Sequence, residues 1–539
     1  MREVDVVVVG AGFAGLYMLH RLRGLGFDAR VLEAGDGVGG TWYWNRYPGA
    51  RCDSESYYYS YSFSPELEQE WQWTERYPGQ EEIRSYLDHV ADRFDLRGDI
   101  ALGTSVTTAS YDEEAGRWVV DAVSPRGSDG PDRWRCRWLV TAVGCLSTAN
   151  VPDVPGLADF RGTWHHTGRW PHEGVDVTGL RVGVVGTGST GIQVIPVLAD
   201  SAGHLTVFQR TANYSVPARN APLDPQETAA VKADYAAIRE VQRTSTNGHP
   251  FTISDLDVLS LSEQERYDVY ERAWRRGGLR FRAAVRDLLT DPRVNETASD
   301  FIRSKIHQTV SDERTAEALS PHDHHFGTKR PPIDTHYFET YNADHVELVD
   351  VRADPLERIT PDGVRLASGA EHPLDVLVFA TGFDALTGPL LSLDLRGRGG
   401  VPLERVWADG PTTHLGLGVA GFPDLFTITG PGSPSVLTNM PTSIEQHVDW
   451  IADCLEHLRD HDLVAEATAE AQDDWAVRVR EAADATLLPQ AASSWYLGAN
   501  VPGKPRVFLP YAGGSARYRT ICDAEAAAGY PGFAPRARS

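Results

Sequence analysis

At 539 residues the chain is long enough for two to four domains with their own cores, and its 41% hydrophobic content is ordinary for a globular protein. A net charge of −24 disfavours nucleic acid and anionic membrane as partners. No run of about eighteen apolar residues could span a bilayer. The five cysteines (Cys52, Cys136, Cys145, Cys454, Cys522) form no CxxC pair and no metal-ligand spacing, so reduced thiols, a cytoplasmic setting and no metal are expected. Met1-Arg2-Glu3 leads straight into an apolar strand, which leaves no room for a secretory leader.

Val4 to Val9 reads as a strand buried on both faces. Gly10-Ala11-Gly12-Phe13-Ala14-Gly15 follows, then an amphipathic helix to about Leu25 and a second strand, Ala29–Leu32, ending at Glu33. This is a dinucleotide fingerprint in its required strand, turn, helix and strand context. Gly10 permits the tight turn, Gly12 lets backbone approach a pyrophosphate, and Gly15 lets helix pack on strand. The helix N-terminus offers free N–H groups to phosphate. Glu33 is placed to accept from a ribose hydroxyl.

Residues 39–53, rich in glycine and aromatics, suggest a rigid loop rather than an element. Tyr57 to Tyr61 reads as core or as the wall of a cofactor pocket. Residues 100–140 alternate as a β-meander, closed by the strand Trp138–Ala142; Asn150-Val151-Pro152 leads out as a linker.

A second fingerprint begins at strand Arg181–Val185 and turns through Gly186-Thr187-Gly188-Ser189-Thr190-Gly191 into a helix, then strand Leu205–Phe208. At nearly the offset where the first motif has Glu33, this one has Arg210-Thr211. A carboxylate repels a 2′-phosphate, whereas a guanidinium binds one in a fork. Charge alone therefore assigns FAD to the first site and NADPH to the second.

Residues 218–327 are charged, Ala- and Arg-rich and helically spaced, and read as a helical insertion. The chain returns at Gly327-Thr328-Lys329-Arg330-Pro331-Pro332, with a strand at Val346–Val349, a hairpin about Asp362-Gly363 and a strand over Leu374–Ala380. Phe426–Thr429 reads as a last buried strand. A helix over Ser443–Leu458 is expected to be capped by Thr442 with Glu445 at its third position. An Ala/Glu-rich helix near 465–485 is expected to be solvated.

Between the two glycine signatures lies Phe160-x-Gly162-x-x-x-His166-x-x-x-Trp170-Pro171, which resembles the fingerprint of type I Baeyer–Villiger monooxygenases. Gly39-Gly40-x-Trp42, followed by Tyr47-Pro48-Gly49 and Asp53, resembles a second motif of that family, and Thr381-Gly382-Phe383-Asp384 its hinge back into the FAD domain. The resemblance runs from Gly10 to about Phe533 with no departure at a motif position. The loop Gly430–Ser435 is more similar to the phenylacetone and steroid enzymes than to the cyclohexanone branch.

The resemblance implies an α/β fold of two Rossmann-like dinucleotide-binding domains, for FAD (1–148 and 384–539) and NADPH (149–217 and 328–383), with the insertion 218–327 in the latter. It implies oxidation of small-molecule ketones to esters or lactones with NADPH and O2 through a flavin C4a-peroxide. Arg330 would hold that anion, since a guanidinium supplies no proton to quench it, and Asp53 would pair with Arg330. Gly40, Thr41, Trp42, Tyr59, Val106 and Met440 would join Gly10, Gly12, Gly15 and Glu33 around FAD, with Val106 at the adenine. Thr187, Gly188, Ser189, Thr190, Gly191 and Gln193 would line the NADPH turn. Lys329 and Arg210 would hold the 2′-phosphate with Thr211, and Trp495 would close over the nicotinamide. His166 and Trp170, in the linker region, would couple domain motion. A monomer is expected. The nearest alternative is a flavin monooxygenase that oxidises nitrogen or sulfur.

Overall fold

The computed structural model describes residues 1–124 and 132–538. Among the described residues it has two large sheets and three small ones of two or three strands. The first has eight strands, with Arg2–Val9 paired in parallel to Ala29–Leu32 on one side and Asp132–Thr141 on the other. Val6, Val7 and Val8 are fully buried, as expected of a parallel strand covered on both faces. Helix Phe13–Gly24 covers one of those faces. The expected meander forms as antiparallel strands Ser105–Asp112, Arg117–Val123 and Asp132–Thr141; its stretch 125–131 lies outside the described residues.

The second sheet is wholly parallel, in the order Val346–Asp350, His204–Gln209, Arg181–Val185, Val376–Phe379 and Thr163–His166. The two fingerprints repeat one steric solution. Gly10 and Gly186 have φ of +104° and +108°, and a Cβ on Gly15 or Gly191 would sit 1.8 or 2.2 Å from the carbonyl oxygen of Gly10 or Gly186. Only glycine lets each helix start that close to its strand.

Among the described residues, five helices from Pro225–Ala233 to Glu313–Leu319, alongside short 3-10 turns, fill the stretch expected as an insertion. Tyr270, Phe281, Phe301 and Ile302 share a core with Val182, Val184 and Leu205 of the second sheet. The insertion also grips the first half. Arg239 donates to Glu68 (2.7 Å) and to Ser60 Oγ (2.8 Å), with Arg239 and Glu68 side chains only 6% and 8% exposed.

Four expectations need correction. Residues 160–171 are not simply a linker, because Thr163–His166 pairs in register with Val376–Phe379 as an edge strand and His166 is buried. The loop 39–53 contains a one-turn helix, Thr41–Trp44. The long helix runs over Met440–Asp460 and is capped by Asn439, whose side chain accepts from Thr442 N, while Pro441 takes a first-turn place that needs no donor. Glu445 is drawn away by tertiary contact and accepts from both the N–H and Oγ of Ser62 at 2.6 Å. Finally, helix Ala469–Asp484 is not solvated all round: Trp475, Val479 and Ala483 are buried, and Trp475 Nε1 donates to Gly432 O at 3.0 Å.

Candidate active site

Both glycine turns open on one cleft of about 1190 Å³, at the C-terminal edges of the two sheets. On the first side Gly10, Gly12, Glu33, Gly40, Thr41 and Trp42 line it, and Asp53, Tyr59, Val106 and Met440 continue the wall. A Cβ on Gly12 would stand 3.3 Å from Gly40 Cα, so two backbone segments converge where a pyrophosphate would need them bare. Gly15 and Gly191 lie behind the wall and act through helix packing.

Glu33 is 4% exposed, and its carboxylate accepts from Ala11 N (2.6 Å) and Gly35 N (2.7 Å). Burial pushes its pKa up, and those two bonds oppose the shift. Trp44 also bonds to the carboxylate, which leaves little acceptor capacity for a ribose hydroxyl, so the first task of this acid is to brace the turn. Sequence reading missed that task.

On the second side Thr187, Gly188, Ser189, Thr190, Arg210 and Thr211 line the cleft. No heavy atom lies within 4 Å of the Cβ position of Gly188, which leaves that backbone open. Gln193 turns toward the other half, donating to Arg51 O (3.0 Å) and accepting from Tyr47 OH (2.8 Å). Beneath it Gly49, at φ +83°, presses on the helix so closely that a Cβ would meet Gln193 O at 2.5 Å. Lys329 is half-buried, and desolvation lowers its ammonium pKa, with Asp323 opposing and Arg210 and Arg352 adding. Arg352 was not anticipated. Its Nη2 donates to Thr211 Oγ1 (3.1 Å) and to Asp323 (2.9 Å), and the only signal was a basic residue just past strand Val346–Asp350.

Arg330 and Asp53 meet between the two turns. The guanidinium donates through Nε and Nη2 to the two carboxylate oxygens at 2.6 and 2.7 Å, and through Nη1 to Val436 O at 2.6 Å. Burial would raise the Asp53 pKa, but the Arg330 charge and hydrogen bonds win and hold it below the usual carboxylate range. Arg330 is held above its own ordinary value by the same pairing, against the burial that would lower it. His249, 5% exposed, is pushed down to about 3 by burial and by the nearby Arg330, so it stays neutral.

Trp495 stands on the cleft wall against Tyr496, with ring centroids 4.6 Å apart. Its segment is tied to the hinge: Asn500 Nδ2 donates to Phe383 O (2.8 Å), and Asn150 Nδ2 donates to Asn500 O (3.1 Å). Among the described residues, His166 and Trp170 make no hydrogen bond or ring contact with Arg210, Lys329 or Arg330. His166 Nδ1 accepts from Gly168 N at 3.0 Å, and its ring lies edge-on to hinge residue Phe383.

Two fingerprint turns on one cleft, one acidic and one basic, with an arginine–carboxylate pair between them, define a two-dinucleotide oxidoreductase of the flavin monooxygenase class. Comparison with known proteins narrows this. Residues 8–72 match the model of an NAD(P)-binding Rossmann-like domain, and residues 64–249 that of L-lysine 6-monooxygenase/L-ornithine 5-monooxygenase. A Baeyer-Villiger monooxygenase of Pseudooceanicola batsensis is 45% identical over 533 residues, covering 98% of this chain and 95% of its own. Phenazine N-monooxygenase PhzNO1 of Lysobacter antibioticus is 42% identical over 533 residues, covering 98% and 96%. Among solved structures, oxidized steroid monooxygenase bound to NADP is 53% identical with a TM-score of 0.92, covering 99% of each chain. The chain belongs to the Baeyer–Villiger monooxygenases, FAD- and NADPH-dependent flavoproteins that convert ketones to esters or lactones with O2. Among the described residues no helix is long and apolar enough to cross a membrane.

Proposed function

We propose that Arg330 and Asp53 carry the oxygen-insertion step and that Arg210, Lys329 and Thr211 select NADPH. The observation that supports this reading most directly is the bidentate Arg330–Asp53 pair facing the cleft that both fingerprint turns share. Bound FAD supplies activation of O2, and bound NADPH supplies the hydride. Arg330 offers a fixed positive charge that cannot donate its proton to an anionic oxygen nucleophile. Asp53 fixes the direction of the guanidinium, and Val436 O holds its remaining edge. Gly10, Gly12, Gly40, Thr41, Trp42, Tyr59, Val106 and Met440 form the FAD wall, with Glu33 bracing it, and Thr187 to Thr190 with Gln193 form the coenzyme wall. Trp495 covers the nicotinamide. FAD is held by 1–148 and 384–539 and NADPH by 149–217 and 328–383, with 218–327 inserted. The enzyme acts as a monomer in the cytoplasm on a small-molecule ketone.

The direct test is a screen of NADPH consumption against small, cyclic, aryl and steroid ketones, with products identified by mass. Ester or lactone one oxygen heavier than the ketone is the expected product; consumption that yields only hydrogen peroxide with every ketone refutes the reading. A second reading, N-oxygenation, is favoured by the full-length likeness to the phenazine N-monooxygenase. Heteroaromatic amines belong in the same screen, and an N-oxide formed faster than any ester would establish it.

Two further outcomes follow from the cleft. FAD is bound without a covalent link, so heat or acid should release yellow flavin into the supernatant; flavin that stays with the precipitate contradicts this. Arg210→Ala should raise KM for NADPH by at least about 10-fold more than KM for NADH, the effect of losing a charge-assisted phosphate contact. Equal changes for the two coenzymes would remove Arg210 from the phosphate site.

A further inference from the structure

The 3-10 turn Leu279–Ala283 of the insertion reaches the active site and carries two arginines with different partners. Arg280 is fully engaged. It donates through Nε to Glu55 Oε1 (3.1 Å), and through Nη2 to the Tyr58 hydroxyl (2.7 Å) and Glu55 Oε2 (3.3 Å). Glu55 is 8% exposed, accepts from Arg76 as well at 2.6 Å, and belongs to the same short segment as Asp53.

Arg282 stands against the other arm of the site. Its Nε is 3.9 Å from the Cβ position of Gly327, at the start of the segment that carries Arg330. Its charge is felt by His249, by Tyr496 and by the Arg330–Asp53 pair. Yet Arg282 makes no hydrogen bond, ion pair or ring contact among the described residues, and its Nε is buried without a partner. Desolvation lowers its pKa, with Arg330 adding and Tyr496 and Asp53 opposing. An uncompensated charge of this kind costs stability.

The balance of charge around it is uneven. Arg330 and Asp53 cancel, so that pair brings an aimed guanidinium but no net charge. Burial keeps His249 neutral and pushes the Tyr496 hydroxyl and the Cys52 thiol up, so these neighbours are uncharged. Glu55 is shared by Arg76 and Arg280. Asp53 and Glu55 thus stand among Arg76, Arg280, Arg282 and Arg330, a local positive excess in a chain whose net charge is −24.

We propose that Arg282 is the second cation of the oxygenation site, a positioning residue whose unpaired charge leaves the Arg330–Asp53 pair net positive toward an anionic oxygen nucleophile. This rests on the role given to Arg330 above. Arg330 fixes where the anion lies, and Arg282 acts through the field, disfavouring its protonation. Arg280, anchored on Glu55, holds the turn that presents it.

Arg282→Met and Arg282→Lys test this in the FAD-loaded protein, by thermal unfolding and by ester and hydrogen peroxide formed per NADPH from about pH 6 to 9. Removing an unpaired charge should leave Tm unchanged or raise it by about 1–3 °C. Ester per NADPH should fall about 5-fold near neutral pH, with hydrogen peroxide in its place, and the pH at which half the NADPH yields ester should move up by about one unit. Lysine keeps the charge and should restore most of the yield. A lower Tm in Arg282→Met, an unshifted pH profile, or a lysine variant as uncoupled as the methionine one overturns the proposal. Arg330→Ala is the control: if it stays coupled, the reading of the active site has failed, whereas if it uncouples and Arg282→Met does not, only the role of Arg282 has.

Discussion

Arg330→Ala should separate reduction from oxygen insertion: flavin reduction by NADPH stays measurable, while ester formation falls at least about 10²-fold. Hydride transfer asks only that coenzyme lie on flavin, whereas insertion also asks for a fixed cation beside an anionic oxygen. The variant should still consume O2 but release it as hydrogen peroxide. The structure adds a second consequence. Without Arg330, the half-buried Asp53 loses the charge that holds its pKa down, so desolvation should drive it up and a modest loss of Tm should accompany the chemical defect. Arg330→Lys should not rescue fully, because an ammonium can donate its proton and cannot serve both Asp53 oxygens and Val436 O at once. Stopped-flow reduction with product analysis decides the matter; ester at near wild-type rate would take Arg330 out of the oxygenation step.

The largest stability effect is expected at Arg239, whose partner Glu68 is as buried as itself. Arg239→Met leaves an uncompensated carboxylate, a loss of about 3–5 kcal/mol. The sign with pH follows from Glu68, whose pKa burial already raises even with Arg239 opposing. Without Arg239 it rises further, and a raised carboxylate favours the fold when protonated and penalises it once pH exceeds the folded pKa. The defect should therefore be large near pH 8 and shrink toward about pH 5. Urea unfolding at the two pH values measures it. An equal loss at both would mean that packing of the arginine stem, rather than its charge, docks the insertion.

These features differ in how far sequence could reach them. The glycine turns were legible because their spacing is a steric necessity: the same carbonyl meets the same missing Cβ in both halves. The difference in charge between Glu33 and Arg210 was legible for a similar reason, since each follows its turn at a set distance. Arg330 and Asp53 are 277 positions apart, and no spacing rule joins them. Only family resemblance brought them together. The helix start failed because Asn439 and Thr442 are both good caps, and the choice was made by Ser62, 383 positions from Glu445. The strand Thr163–His166 was hidden because Thr-Trp-His-His has no apolar alternation, and it needs none at a sheet edge.

The contact at Gly49 has a meaning for how such an enzyme can be altered. The helix Ser189–Ala199 rests on a backbone hydrogen there, with 2.5 Å between Gln193 O and the place a methyl would take. That hydrogen works as a gauge block, calibrating the gap between the two nucleotide units to less than the width of one carbon. A larger residue would drive a wedge between them and misalign two reagents that must touch. The choice of ketone can be retuned at side chains of the cleft wall while the distance between the reagents stays where Gly49 sets it.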